Sequence, residues 1–312
     1  MFLFVINIIK RKKQVERIIV LITLLAVILS FYAIIWHYFI LEKTMTGSFG
    51  TFGNRNHFAA YIGMIAPLVI GYSLSCRNRF KRFFFGFLGA FLSASVFLSL
   101  SRAGSISLGV ALLLMIFFLK KDWFKEGKIW LIGSVILIAV ILVILAGTDL
   151  IFERFSYFWE NLDKRLSLFR DSLGIVKDFP LFGVGLGNFQ YIFTAYRTAP
   201  AYNYYYYLHN DYMQLIVEAG LLGAFFYFLF LFQTFKKIIT KLRKRHDLFV
   251  KNIVIGGGCG LIGTLIHSFF DFNFHIPAVF IMFYIILGII YKIVNIHFYS
   301  KPMAKNNDNQ KN

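Results

Sequence analysis

HNDYMQLIVEAGLLGAFFYFLFLFQTFKK, residues 209–237, decides the fold. From Tyr212 to Thr234 it carries one charged side chain, Glu218, among apolar and aromatic neighbours. About 20 such residues cross a hydrocarbon core of roughly 30 Å as a helix. Lys236 and Lys237 close the run on one side. On the other side stand a histidine, an amide and a carboxylate, His209, Asn210 and Asp211. Nine residues separate Asn210 from the small-residue step Gly220-Leu221-Leu222-Gly223.

Similar apolar runs recur along the 312 residues. Spans are expected near 18–40, 58–75, 83–100, 103–119, 129–146, 212–234, 252–270 and 276–295. Hydrophobic residues make up 58% of the chain and charged residues 15%. A soluble domain carries about 25% charged residues. The expected fold is therefore an all-α polytopic membrane protein with about eight transmembrane helices. Met1–Ile9 is apolar but precedes the basic cluster Lys10–Lys13, so it does not read as a cleavable signal peptide. It reads as the stub of a further helix or as an interfacial segment.

The net charge of +18 invites a nucleic-acid reading, which its distribution opposes. Lys and Arg collect in alternate loops: Lys10–Arg17, Arg77–Arg82, Lys120–Lys128, Lys236–Lys251 and the C-terminal tail. Cytoplasmic loops of membrane proteins gather such residues. Both termini are therefore expected in the cytoplasm, with membrane lipids rather than nucleic acid as partners. The chain divides into an inner segment 1–17, five spans over 18–146, an outer loop over 147–211, three spans over 212–295 and a disordered inner tail over 296–312. The two cysteines, Cys76 and Cys259, fall at a helix end and inside a helix, and suggest neither a disulfide framework nor a zinc site.

The outer loop of about 65 residues is long enough to imply function or a fold of its own. Leu166, Phe169, Leu173 and Val176 recur at helical spacing over 165–178. Pro180 should end that helix, and Gly183-Val184-Gly185-Leu186-Gly187-Asn188 should turn.

Each outer connection holds a polar cluster. These are Asn54-Arg55-Asn56-His57, Ser99-Leu100-Ser101-Arg102-Ala103-Gly104, Leu208-His209-Asn210-Asp211, and His267 to His275 with Asp271 and Asn273 between. Ionisable groups at membrane depth are costly, which makes them functional hypotheses. Bland readings stand beside these. A lone arginine at a helix end often meets lipid phosphate or caps carbonyls, the reading favoured for Arg55, Arg154 and Arg197. His267, Asp271 and His275 could orient a site, or could simply tie a helix hairpin around Pro277. Tyr202 and Tyr204–Tyr207 could stack on sugars, or form an interfacial aromatic belt. Gly256–Gly258, Gly260 and Gly263 read as close helix packing.

Taken in order, these clusters resemble the O-antigen ligase and O-antigen polymerase superfamily of bacterial inner-membrane glycosyltransferases, with a GT-C-like fold. Asn54-Arg55-Asn56-His57-Phe58 is similar to the family's Asn-rich helix entry. Ser101-Arg102-Ala103-Gly104 is similar to its arginine turn. Arg165-Leu-Ser-Leu-Phe169 and Asp178-Phe-Pro180 to Asn188 are similar to its loop signature. His209-Asn210, nine residues, Gly220-x-x-Gly223 is similar to the ligase pattern. The resemblance implies a longer helix set, roughly ten to twelve spans, with the extra helices ahead of residue 18. It also implies transfer of a glycan from undecaprenyl diphosphate to an acceptor on the periplasmic side, either lipid A core or another glycan.

That reaction releases a diphosphate, whose growing charge needs stabilising. Arginine suits phosphate oxygens. Arg102 and Arg165 match the family's arginines, with Arg55 and Arg170 as further binders. The acceptor hydroxyl needs a base, and imidazole titrates near neutrality. His209 is therefore the expected base. Asn54, Asn210, His267 and Asp271 complete the expected substrate site. No Asp-x-Asp pair occurs, so no metal or other cofactor is expected. The other readings are a polymerase of the same superfamily and a non-enzymatic glycan-assembly or transport protein. A transporter should carry polar groups at the midplane of several helices, whereas here they concentrate at one face.

Overall fold

A computed structural model describes residues 1–40, 47–125, 158–198 and 205–296. Among them, ten α-helices and no strand occur: α1 (Phe2–Ile8), α2 (Lys12–Ile35), α3 (Arg55–Ser75), α4 (Arg79–Leu98), α5 (Arg102–Lys125), α6 (Phe158–Asp178), α7 (Phe189–Ile192), α8 (Asp211–Leu242), α9 (Leu248–His267) and α10 (Pro277–Asn295). Seven are long and apolar enough to cross a membrane, namely α2 to α5 and α8 to α10. They coincide with seven of the eight expected spans. The span expected at 129–146, Tyr202, Tyr204 and the tail beyond Ile296 lie outside the described residues. The chain is a polytopic helical membrane protein.

α3 is the central helix, buried over most of its length. It packs most heavily on α9 and α4. Helices in lipid gain little from apolar burial, so close approach through small residues decides which pairs form. Gly256 and Gly260 of α9 lie against the backbone carbonyls of Pro67 and Met64, and Gly71 of α3 lies against Asn252. A methyl group at any of these would strike backbone. Gly257 and Gly263 are also in contact with neighbouring helices, while Gly258 faces open space. Pro277 sits in the first turn of α10, where its missing N–H costs nothing.

The two ends of the bundle differ. At one end Arg82 donates to the Cys76 carbonyl (3.1 and 3.2 Å). Arg245 donates to Val294 (2.7 Å) and Ile296 (2.7 Å), and Lys12 lies over the Phe249 ring at 4.0 Å. Basic side chains thus satisfy helix C-termini, where orphan carbonyls and the helix dipole favour cations. At the opposite end the polar clusters meet. α1 lies on α10, with Val5 buried against Gly288 and Phe2 edge-on to Phe230 and Tyr291. It is a short packed helix, with Leu3 and Phe4 exposed. Cys76 and Cys259 are both free thiols.

The long connection departs from its sequence reading at the start of its helix. α6 begins at Phe158, earlier than the expected 165. From Arg165 to Asp178 its buried positions are Leu168, Asp171, Ser172 and Ile175. Leu166 and Leu173, apolar at helical spacing, instead point outward. The buried stripe follows from a small separate core in which Leu168 and Ile175 meet Phe189, Phe193, Leu208 and Val217. Asp171 is drawn in because it accepts from the Thr198 amide (2.9 Å) and hydroxyl (3.0 Å).

α8 is broken at Gly220, whose φ of 68° and ψ of 179° belong to a region essentially restricted to glycine. The turn after α6 enters the gap. Val184 N–H donates to Val217 O (3.0 Å) and Gly185 N–H to Glu218 O (2.9 Å). Leu221 N–H donates to Pro180 O (2.8 Å) and Leu222 N–H to Leu181 O (3.2 Å). These four bonds replace the helical bonds lost at the break. Gly183, Gly185 and Gly187 all have positive φ, as a tight turn of this shape requires. A Cβ on Gly220 would collide with the Leu181 carbonyl. Gly220→Ala should therefore lower the thermal unfolding midpoint in detergent, by the equivalent of about 1–3 kcal/mol. Gly258→Ala should leave it within error.

Candidate active site

The polar end is organised around Asp271, whose side chain is fully buried. His209 Nδ1 lies 3.1 Å from its Oδ1. The Phe272 amide donates to the same oxygen (2.9 Å). Asn56 Nδ2 donates to Oδ2 (2.5 Å), and the Ser101 hydroxyl donates to Asn56 Oδ1 (2.7 Å). A relay thus runs from Ser101 through Asn56 and Asp271 to His209, joining α3, the α4–α5 turn, the α9–α10 connection and the entry to α8. A carboxylate only accepts, so His209 Nδ1 donates to Asp271, and in the neutral ring the lone pair is on Nε2. The His209 ring is 32% exposed, which leaves it reachable from outside.

Burial alone would raise the Asp271 carboxyl. The hydrogen bond and charge of His209, the Phe272 amide and the nearby His57 outweigh it and hold the group down at about 2. The ionised form is the one built into the site. Phe272 closes one side: His209 and His57 sit edge-on to its ring at 4.9 and 4.8 Å, and Tyr207 stacks on it at 4.4 Å.

A second cluster lies beside the first. His275 Nδ1 is 3.2 Å from Asp211 and its Nε2 is 3.7 Å from Glu218. Gln214 donates to Glu218 (2.7 Å) and accepts from the Leu208 amide (2.8 Å). The Phe274 amide donates to Asp211, and the Asp211 amide donates to Ser268 O (2.9 Å). Burial lowers the proton affinity of His275, but hydrogen bonds to Asp211 and Glu218, and their charge, raise it to about 9. The imidazolium therefore clamps the α9–α10 connection to the first half of α8.

The expected site residues fall as follows. His209 and Asp271 are bonded directly. Arg165 donates to Phe270 O (2.9 Å), one residue from Asp271. Asn210 caps α8 through the Tyr212 and Met213 amides (3.0 Å each) and donates to Phe269 O (3.1 Å). Asn54 caps α3 through the Asn56 amide (2.8 Å). Arg55 and Arg102, both half-buried, open α3 and α5 at this end. Arg170 is exposed, just beyond one turn past Arg165 on α6. His267 is buried four residues before Asp271 and lines a small cavity with Ser107, Thr264 and Gly104. An open groove of about 770 Å³ adjoins the relay, lined by Leu25, Leu29, Phe52, Tyr61, Ile276 and Pro277, with Asn54, His57 and Phe272 at its polar side.

Residues 87–228 match the family model described as O-antigen ligase. Over that stretch the chain is similar to an O-antigen ligase domain. That match spans the arginine turn at Ser101-Arg102, Arg165, the glycine turn, His209-Asn210 and Gly220-x-x-Gly223, the stretches that carried most of the resemblance in sequence. No curated protein matches the chain. The matched stretch includes His209, while Asp271, which it meets, and Asn56, which holds Asp271, lie on either side of that stretch and are brought in by the α9–α10 connection and α3.

Asn54 is the site residue expected from sequence, whereas Asn56 is the one that meets Asp271. The helix start could have separated them: a residue immediately before a helix is the natural cap, which frees the one two positions later. Asp211 and Ser101 join the site only through contacts with distant segments of the chain, at His275 and Asn56, and Gln214 joins it through Glu218.

The charge on His275 sets a pH dependence. Its proton affinity in the fold lies above the ordinary value of 6.5. Its contribution is therefore fully present below about pH 6.5 and lost as pH rises through about 9. The thermal midpoint of the wild type in detergent should fall across that window. His275→Gln should be less stable at pH 6.5 and converge on the wild type above pH 9. Parallel curves would show that this cluster is not the source.

Proposed function

We propose that the protein is an O-antigen-ligase-type glycosyltransferase of the bacterial inner membrane. It would move a glycan from undecaprenyl diphosphate to a hydroxyl of lipid A core or another surface acceptor, at the periplasmic face. One observation carries this reading. A reachable imidazole, oriented by a buried carboxylate, stands at the bundle end opposite the basic side chains, within the stretch similar to an O-antigen ligase domain. The orientation follows from the positive-inside rule, which assigns the basic end to the cytoplasm.

In the proposed mechanism the acceptor hydroxyl lies against His209 Nε2. Its oxygen attacks the anomeric carbon as its proton passes to Nε2. The bond from that carbon to the diphosphate oxygen breaks, and the electron pair leaves with the diphosphate. The result is a single displacement with inversion. Asp271 acts as a positioning residue, holding the tautomer and stabilising the imidazolium that forms. Arg102 and Arg165 would face the leaving diphosphate, with Arg55 and Arg170 as outer contacts, each able to offer forked donors. The apolar groove beside Phe272 would receive the isoprenoid part of the donor.

Two measurements test this. In membranes supplied with lipid-linked glycan, His209→Ala should lose transfer by on the order of 10²–10⁴-fold, as expected for a removed acid–base group. Asp271→Asn should lose comparable activity while remaining folded. Full transfer by an inserted His209→Ala protein would overturn the assignment. In a deletion strain, lipid-linked polymer should accumulate unattached. Surface glycans cut to single repeats would instead indicate a polymerase.

A further inference from the structure

The turn between α6 and α7 carries an unusual set of side chains for an extramembrane connection. Leu181, Phe182 and Leu186 are 60, 73 and 76% exposed. They follow Lys177 and Asp178, which are also exposed. The turn is seated in the break of α8, and the residues flanking it there, Leu221, Leu222 and Phe225, are exposed on a helix that spans the membrane. The turn therefore extends a lipid-facing surface rather than interrupting a water-facing one.

Depth can be judged along the helix. Lys236 follows Gly220 by 16 residues, which at 1.5 Å per residue is about 24 Å. A hydrocarbon core measured from that lysine extends roughly 30 Å, so the break lies inside its far edge. Non-helical backbone survives at such depth only when its amides and carbonyls are satisfied within the protein. Within the turn, the Gly183, Val184 and Gly185 amides and the Phe179, Pro180, Leu181 and Gly185 carbonyls are bonded to protein backbone. Contiguous apolar surface of this kind is uncommon in water.

We propose that Phe179–Leu186 is a re-entrant wedge whose Leu181, Phe182 and Leu186 side chains contact the acyl chains of the leaflet at the active-site end. Lys177 and Asp178 mark where the chain leaves water. The wedge anchors α6 to the bilayer and fixes the height of Arg165 above the lipid. This inference does not depend on the reaction proposed above.

Nitroxide accessibility tests it. In a background of Cys76→Ala and Cys259→Ala, Phe182→Cys and Leu186→Cys are spin-labelled separately and reconstituted in phosphatidylethanolamine–phosphatidylglycerol vesicles. Phe225→Cys is the lipid reference and Lys244→Cys the aqueous one. Both wedge labels should show the high oxygen and low nickel-chelate collision rates of Phe225→Cys. Ratios nearer to those of Lys244→Cys would place the turn in water and overturn the proposal. All four positions are exposed or face lipid, so labelling disturbs no packing. Monodisperse elution of each variant confirms that the fold is intact.

Discussion

A buried carboxylate is the constraint on which the active end depends. An ionised Asp271 out of water would cost several kcal/mol if left alone. It is held instead by a histidine, an asparagine and its own neighbouring amide, drawn from α3, from the entry to α8 and from the α9–α10 connection. Removing any one partner leaves charge uncompensated, so these segments are fixed relative to one another. The Ser101–Asn56 bond extends the same constraint to the α4–α5 turn, which places Arg102.

Beneath this end, backbone packing does the positioning. α3 and α9 touch through glycine and carbonyl contacts that admit no larger residue, so the polar ends of both helices sit at one height. On the other flank, the gap at Gly220 is filled by backbone from the glycine turn. Glu218, at the edge of that gap, takes part in both layers: its carbonyl accepts from Gly185 and its carboxylate faces His275. The helix break and the second ionic cluster are thus one assembly.

The helices were legible in the sequence because hydrocarbon imposes long uninterrupted apolar runs, and basic loops mark one side. His209 and Asp271 were legible as separate polar marks, but their bond was not, since 62 residues separate them. The buried face of α6 is not legible from spacing, for a definite reason. Helical spacing identifies a stripe, but a helix beside lipid can turn apolar residues outward and bury Asp171 and Ser172 instead. The role of Gly220 was also hidden. A small residue within an apolar run reads as helix packing, and only the partner turn at Pro180–Gly185 shows it to be a break.

His209 has a positive φ of 53°, a conformation that costs roughly 1–2 kcal/mol for a residue with a Cβ. Through that twist, three successive residues point in three directions. Leu208 enters the small core with Val217, His209 faces Asp271, and Asn210 caps α8. The register of this tripeptide is consequently rigid. A single-residue insertion or deletion here would exchange all three duties at once. Length variation among related chains should therefore collect upstream of Leu208, where loop residues can be gained or lost without moving the imidazole.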